Sequence, residues 1–137
     1  MDEHYVARAL VSAHENCPVD RLAASLGPGP FSLVLLFVSP EADVAGIVAE
    51  ASQAWPEAKI AGCTTAGEIT GDGYDEETIV AVGFNARHFA AETLLVPDLS
   101  KLAASELSDA LLLIRQSLAR DHGHLPEEFA LLLVDGL

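Results

Sequence analysis

Only seven of the 137 residues are basic, against 21 acidic ones, and the formal net charge is −14. The seven, from Arg8 to Arg120, are scattered along the chain. Binding to a phosphate backbone or an anionic membrane draws on a clustered basic footprint, so neither nucleic acid nor a membrane is an expected partner. Cysteine is as scarce: Cys17 and Cys63 are too far apart for a CxxC motif and make no disulfide framework, which points to a reducing cytoplasm. The opening Met1-Asp2-Glu3-His4 lacks the positive flank and apolar stretch of a signal peptide. No apolar run approaches a membrane span, so a soluble chain that is not exported is expected. Also missing are the GxSxG, GxxxxGK[ST], HExxH and GxGxxG signatures, and an enzyme is not expected.

Half of the residues are hydrophobic and a fifth are charged, the composition of a globular chain. A chain of this length holds a core without metal or disulfide, and residues 1–137 are expected to form a single domain. Residues 5–13 suit a strand or a helix, with a lean to strand. Pro18 opens a helix carrying Leu22, Ala23 and Leu26 on one face, stopped by Gly27-Pro28-Gly29-Pro30. The run from Phe31 to Val38 reads as a strand covered on both faces. Ser39 is then the expected cap of a helix with Pro40 at its first position, with Glu41 and Asp43 in the first turn, and Val44, Ile47, Val48, Ala51 and Trp55 on one face. A short strand, 59–62, leads into a loop, 63–67. After a turn-rich stretch, residues 78–84 form another strand, joined by a turn at 85–88 to a further one over 89–96. Ser100 is the expected cap of a long helix bearing Leu102, Leu107, Leu111, Ile114 and Leu118, and Phe129 to Val134 reads as a last buried strand. The order of elements predicts an α/β or α+β fold, a mixed sheet flanked by helices.

Chemistry concentrates in GCTTAGE, residues 62–68. Glycines and small hydroxylated side chains let a ligand approach backbone N–H groups, and Glu68 can accept from an amine. A tight turn whose threonines satisfy their own backbone explains the same residues, and on the residues alone it is favoured. Cys63 has only Lys59 as a nearby base in sequence, so an inert, buried thiol is expected rather than a nucleophile. His122 and His124 look like a metal pair but read better as solvated loop residues, and His88 as part of a surface turn. Asp72, Asp75, Glu76 and Glu77 miss the calcium-loop spacing and read as a solvated hairpin tip.

The segments LVLLFVSP at 33–40, AGCTTAGEI at 61–69, IVAVGF at 79–84 and LLLVDGL at 131–137 resemble the N-terminal portion of the FIST (F-box and intracellular signal transduction) family of bacterial sensory domains. The resemblance implies a domain that senses a small molecule, an amino acid or a derivative, with Gly62, Cys63, Thr64, Thr65, Gly67 and Glu68 as the ligand-binding residues. It requires no cofactor. Some members of the family are similar to haem proteins that sense nitric oxide and modulate a histidine kinase or a cyclic-di-GMP enzyme. On that alternative the axial ligand comes from His4, His14, Cys17, Cys63, His88, His122 or His124, with His88, His122 and His124 foremost. Family members continue into a C-terminal portion, so a chain ending at Leu137 is expected to hold an incomplete domain.

Overall fold

A computed structural model describes residues 4–70 and 73–134, and of Glu68–Thr70, Tyr74 and Asp75 the backbone alone. The order is β1 (Val6–Ser12), α1 (Pro18–Leu26), β2 (Phe31–Val38), α2 (Val44–Ala54), β3 (Lys59–Thr64), β4 (Glu68–Thr70), β5 (Gly73–Asp75), β6 (Thr78–Asn85), a single 3-10 turn at Leu99–Lys101, and α3 (Ala104–His122). Four strands make a mixed sheet in the order β1-β6-β2-β3, with β2 and β3 parallel and β6 antiparallel to both of its neighbours. Strands β4 and β5 pair as a separate antiparallel hairpin. The fold is α+β, a mixed sheet with three helices, as the element pattern predicts.

The core lies between one face of this sheet and helices α1 and α2. Alternation along each strand sends every second side chain to that face. Ala9 of β1, Ile79 and Ala81 of β6, and Val34, Leu36 and Val38 of β2 meet Val19, Leu22 and Leu26 of α1 and Ile47, Ala51 and Trp55 of the second helix region. Phe31 joins them although its position in the alternation belongs to the other face, because the register of β2 against β6 shifts between Phe31 and Leu33. Its ring then lies over Gly83, where an added Cβ would come within 2.8 Å of the ring carbon Cε1.

Helix α2 begins later than its sequence suggests. Ser39 remains tied to the sheet, donating its N–H to the Thr78 carbonyl at 3.0 Å, while the Ala42 N–H closes a turn back onto the Ser39 carbonyl at 3.1 Å. The cap is Asp43, whose Oδ1 accepts from the Gly46 N–H at 3.1 Å. Replacing an N-cap aspartate by alanine costs roughly 1 kcal/mol. Asp43→Ala is therefore expected to lower stability by about that amount, read from the midpoint of urea unfolding.

Two expected strands are not strands. Residues 89–96 form no ladder, because β6 already has β1 on one side and β2 on the other, so a hairpin back from the turn at 85–88 has no edge to pair with. The segment crosses the sheet instead, with the Phe89 ring edge-on to Phe84 at 5.3 Å between centroids and Glu92 3.1 Å from the Lys59 ammonium. Residues 129–134 likewise join no ladder among the described residues, and their large apolar side chains are exposed, Leu132 to 84%. An apolar run announces a need for cover but does not supply a neighbouring ladder. Ser100 does not cap α3. It donates N–H and hydroxyl to Asp98, which caps the 3-10 turn, and α3 starts from Ala103 with no side-chain cap. The Asp98 carboxyl is held below its ordinary range by hydrogen bonds, first from Lys101 and then from Ser100.

Candidate functional site

The carboxyl ends of β2 and β3 lie side by side, Phe37 opposite Cys63 and Val38 opposite Thr64. Gly62, Cys63 and Thr64 are therefore strand residues, and the loop proper is Thr65-Ala66-Gly67. It is pinned where it leaves the strand, since the Thr65 N–H donates to the Val38 carbonyl at 3.1 Å. Gly67 then takes φ 155°, a backbone conformation that other residues rarely adopt, and Glu68 opens β4. The Glu68 side chain lies outside what the structure describes, as does Asp72 of the acidic cluster.

The glycine at 62 serves packing before it serves any ligand. A Cβ there would overlap the Leu36 carbonyl oxygen and sit 2.8 Å from its carbon, so β3 approaches β2 closely only because this residue has no side chain. Cys63 projects from the opposite face of β3, beside Phe37. Its thiol is free and exposed, contrary to the buried cysteine expected from the sequence, because β3 is an edge strand with no neighbour beyond it in the described sheet. Of the motif residues, Gly62, Cys63 and Thr64 are exposed and Thr65 and Gly67 half-buried. The backbone of an edge strand keeps every second N–H and C=O turned outward, and these groups can bind a small polar molecule or an added strand.

The histidines are spread out. His88 follows β6 in the turn fixed by Asn85, whose carbonyl accepts the His88 N–H at 3.0 Å and whose Oδ1 accepts the Arg87 N–H at 2.9 Å. Its ring is half-buried, 4.4 Å from that of Tyr5, rather than lying free on a surface turn. His122 and His124 have rings 6.2 Å apart and are exposed at the far end of α3. His14 Nε2 lies 2.8 Å from Glu77 Oε2, clasping the end of β1 to the turn before β6. Among the described residues no group of three His, Cys, Asp or Glu side chains converges as a metal site. No helix of the described residues is long and apolar enough to cross a membrane.

Two clefts escaped the sequence reading. One, of about 410 Å³, lies between the start of α1 and the second half of α2, lined by Cys17, Val19, Asp20, Glu50, Gln53 and Ala54. The other, of about 240 Å³, lies under Trp55 against Pro28, Pro30 and Phe31. Neither includes a residue of 62–68. Only the Cys17-Pro18 step marks the first cleft in the sequence, because its other wall comes from a helix about thirty residues further along the chain.

Neither the curated proteins nor the solved structures include a match to this chain. A family model described as the FIST N domain matches residues 32–137, from β2 through the edge-strand motif, β6 and α3. That match spans more than half of the chain, and it establishes that the chain belongs to the FIST N-domain family, a family of sensory domains in signal transduction.

Proposed function

We propose that the chain is the ligand-reading part of a cytoplasmic bacterial sensory protein that takes up a small, amine-bearing, amino-acid-like molecule and passes occupancy to an output protein. The family match over residues 32–137 carries this reading. The binding segment is Gly62, Cys63, Thr64, Thr65, Gly67 and Glu68. Its place at the carboxyl ends of the parallel pair β2 and β3 supports the assignment, since ligands of open α/β sheets sit beyond the carboxyl ends of strands. The polar groups of that segment are suited to a zwitterion: outward N–H groups for a carboxylate, threonine hydroxyls, and one carboxylate for an amine. A histidine kinase or a cyclic-di-GMP enzyme is the output partner that the family resemblance implies, and no catalytic step is assigned to the chain. Two exposed free thiols accord with a reducing compartment.

Calorimetric titration with the standard amino acids and their decarboxylated amines tests both the ligand class and the segment. Loss of a hydrogen bond to a charged group costs about 1.5–3 kcal/mol, so Glu68→Gln is expected to weaken the bound member of the panel roughly tenfold or more. Thr65→Val is expected to weaken it less. Unchanged binding by both folded variants would remove the segment from the site, whereas silence from the whole panel would remove the ligand class.

A further inference from the structure

The four-stranded sheet has a second face, apolar along β2 and β6, with Arg8 of β1 opposite Val82 and Lys59 of β3 opposite Leu33. Because Ile79, Ala81, Val34, Leu36 and Val38 point into the core, alternation places Val80, Val82 and Phe84 of β6 and Leu33, Leu35 and Phe37 of β2 on the other side. Helices α1 and α2 both join the core on the first side. On the second, Leu35 at the centre is 7% exposed, while Val6 and Leu10 on β1 are open to solvent. An apolar sheet face of this kind requires a second layer.

The chain also contains a helix without a core. No residue of α3 is buried, and it takes part in none of the extensive packing between elements. Yet Leu107, Ile114 and Leu118 follow helical spacing along one side and are half-buried, whereas Leu112 and Leu113 stand out at 51% and 67% exposure on the other. Both flanks of α3 are already seated against the second face of the sheet. Before it, Phe89 lies against Phe84 and Glu92 against Lys59; after it, Phe129 lies 6.5 Å from Phe84 and 6.4 Å from Phe89 between ring centroids. Lengths agree as well: 19 helical residues span about 28 Å and the eight residues of β2 about 26 Å.

We propose that α3 is a hinged cover for the second face of the sheet. In the closed position Leu107, Ile114 and Leu118 lie across Leu35, Val82 and their neighbours, and the aromatic group Phe84, Phe89 and Phe129 is the hinge about which the helix swings. The closed and open positions give the domain two states without rearranging the core, and the proposal stands whether or not residues 62–68 bind a ligand.

Paired cysteines test it in a background in which Cys17→Ser and Cys63→Ser leave no native thiol. Val82→Cys with Ile114→Cys joins the centre of the face to the centre of the helix stripe, and mild oxidation is expected to give a monomeric, internally crosslinked chain. Val82→Cys with Leu112→Cys, on the far side of the helix, is expected to close at least about tenfold more slowly. Equal rates for the two pairs would overturn the proposal, and so would disulfide-linked dimers formed in preference to internal closure, which would make this face a contact between copies. A second readout needs only one thiol: with Val82→Cys alone, adding Leu107→Asp is expected to raise the rate of maleimide labelling about tenfold, and an unchanged rate overturns the cover.

Discussion

Gly62→Ala is expected to destabilise the protein by about 3 kcal/mol, at the upper end of what overpacking usually costs. The added methyl would occupy the position of the Leu36 carbonyl oxygen, and that group is backbone in the middle of β2, flanked by β6 on its other side. Nothing flexible can give way there. Strand β3 is at the edge, so the least costly relief is for it to lean outward, which breaks part of the parallel ladder between 33–38 and 59–64. Thermal unfolding should show it as a fall in Tm of roughly 10 °C for a chain of this size. A change of less than about 2 °C would mean that β3 moves aside freely and that the close approach to Leu36 contributes nothing to stability. The same substitution bears on function, because a displaced β3 carries Cys63 and Thr65 with it.

Leu22→Ala is expected to cost roughly 3–4 kcal/mol, the usual penalty for a large aliphatic side chain removed from a closed core. Leu22 is fully buried at 0% exposure, and it stands where α1 packs on β1, β6 and α2. Deleting its side chain removes apolar burial and leaves a cavity that the sheet on one side and the helix on the other cannot both close. Leu112→Ala is the matched control: the same chemical change at a residue 51% exposed on α3 should stay within about 0.5 kcal/mol. Urea unfolding of the three proteins checks the pair. Similar losses for both substitutions would mean that the outer side of α3 is packed as closely as the core, contrary to the exposure of Leu112.

Elements whose own residues supply both pattern and punctuation were legible. Helix α1 begins at Pro18, where a missing N–H costs nothing, and ends at Gly27, which takes φ 87°. Strand β2 begins after Gly29-Pro30 and ends before Ser39-Pro40, and its apolar run, broken only by Ser32, reflects two faces, one packed by helices and the other half-covered. The start of α2 was misplaced by a local rule applied to the wrong residue. Ser39 and Asp43 are both good caps by type, and what separates them is the bond from the Ser39 N–H to Thr78, thirty-nine residues away. The candidate site was legible as a segment but not as a shape. GCTTAGE stands out among apolar residues, yet nothing in it says that half of the motif is strand, that Gly62 answers to a carbonyl in β2, or that Cys63 faces solvent.

The amino-acid sequence determined the class of fold, the identity of most elements and the family, because hydrophobic period, turn residues and the motif at 61–69 are properties of neighbours along the chain. Tertiary structure decided which strands have partners. With β6 inserted between β1 and β2, the run at 89–96 has no edge left on β6 to form a hairpin with, and the apolar run at 129–134 joins no ladder among the described residues. Strand pairing is a contract between distant segments, and each strand has only two edges to offer. Burial follows the same logic: leucines of one chemical type end at 0% exposure in α1 and at 67% in α3, since the sheet offered one face to α1 and α2 and left the other half-open.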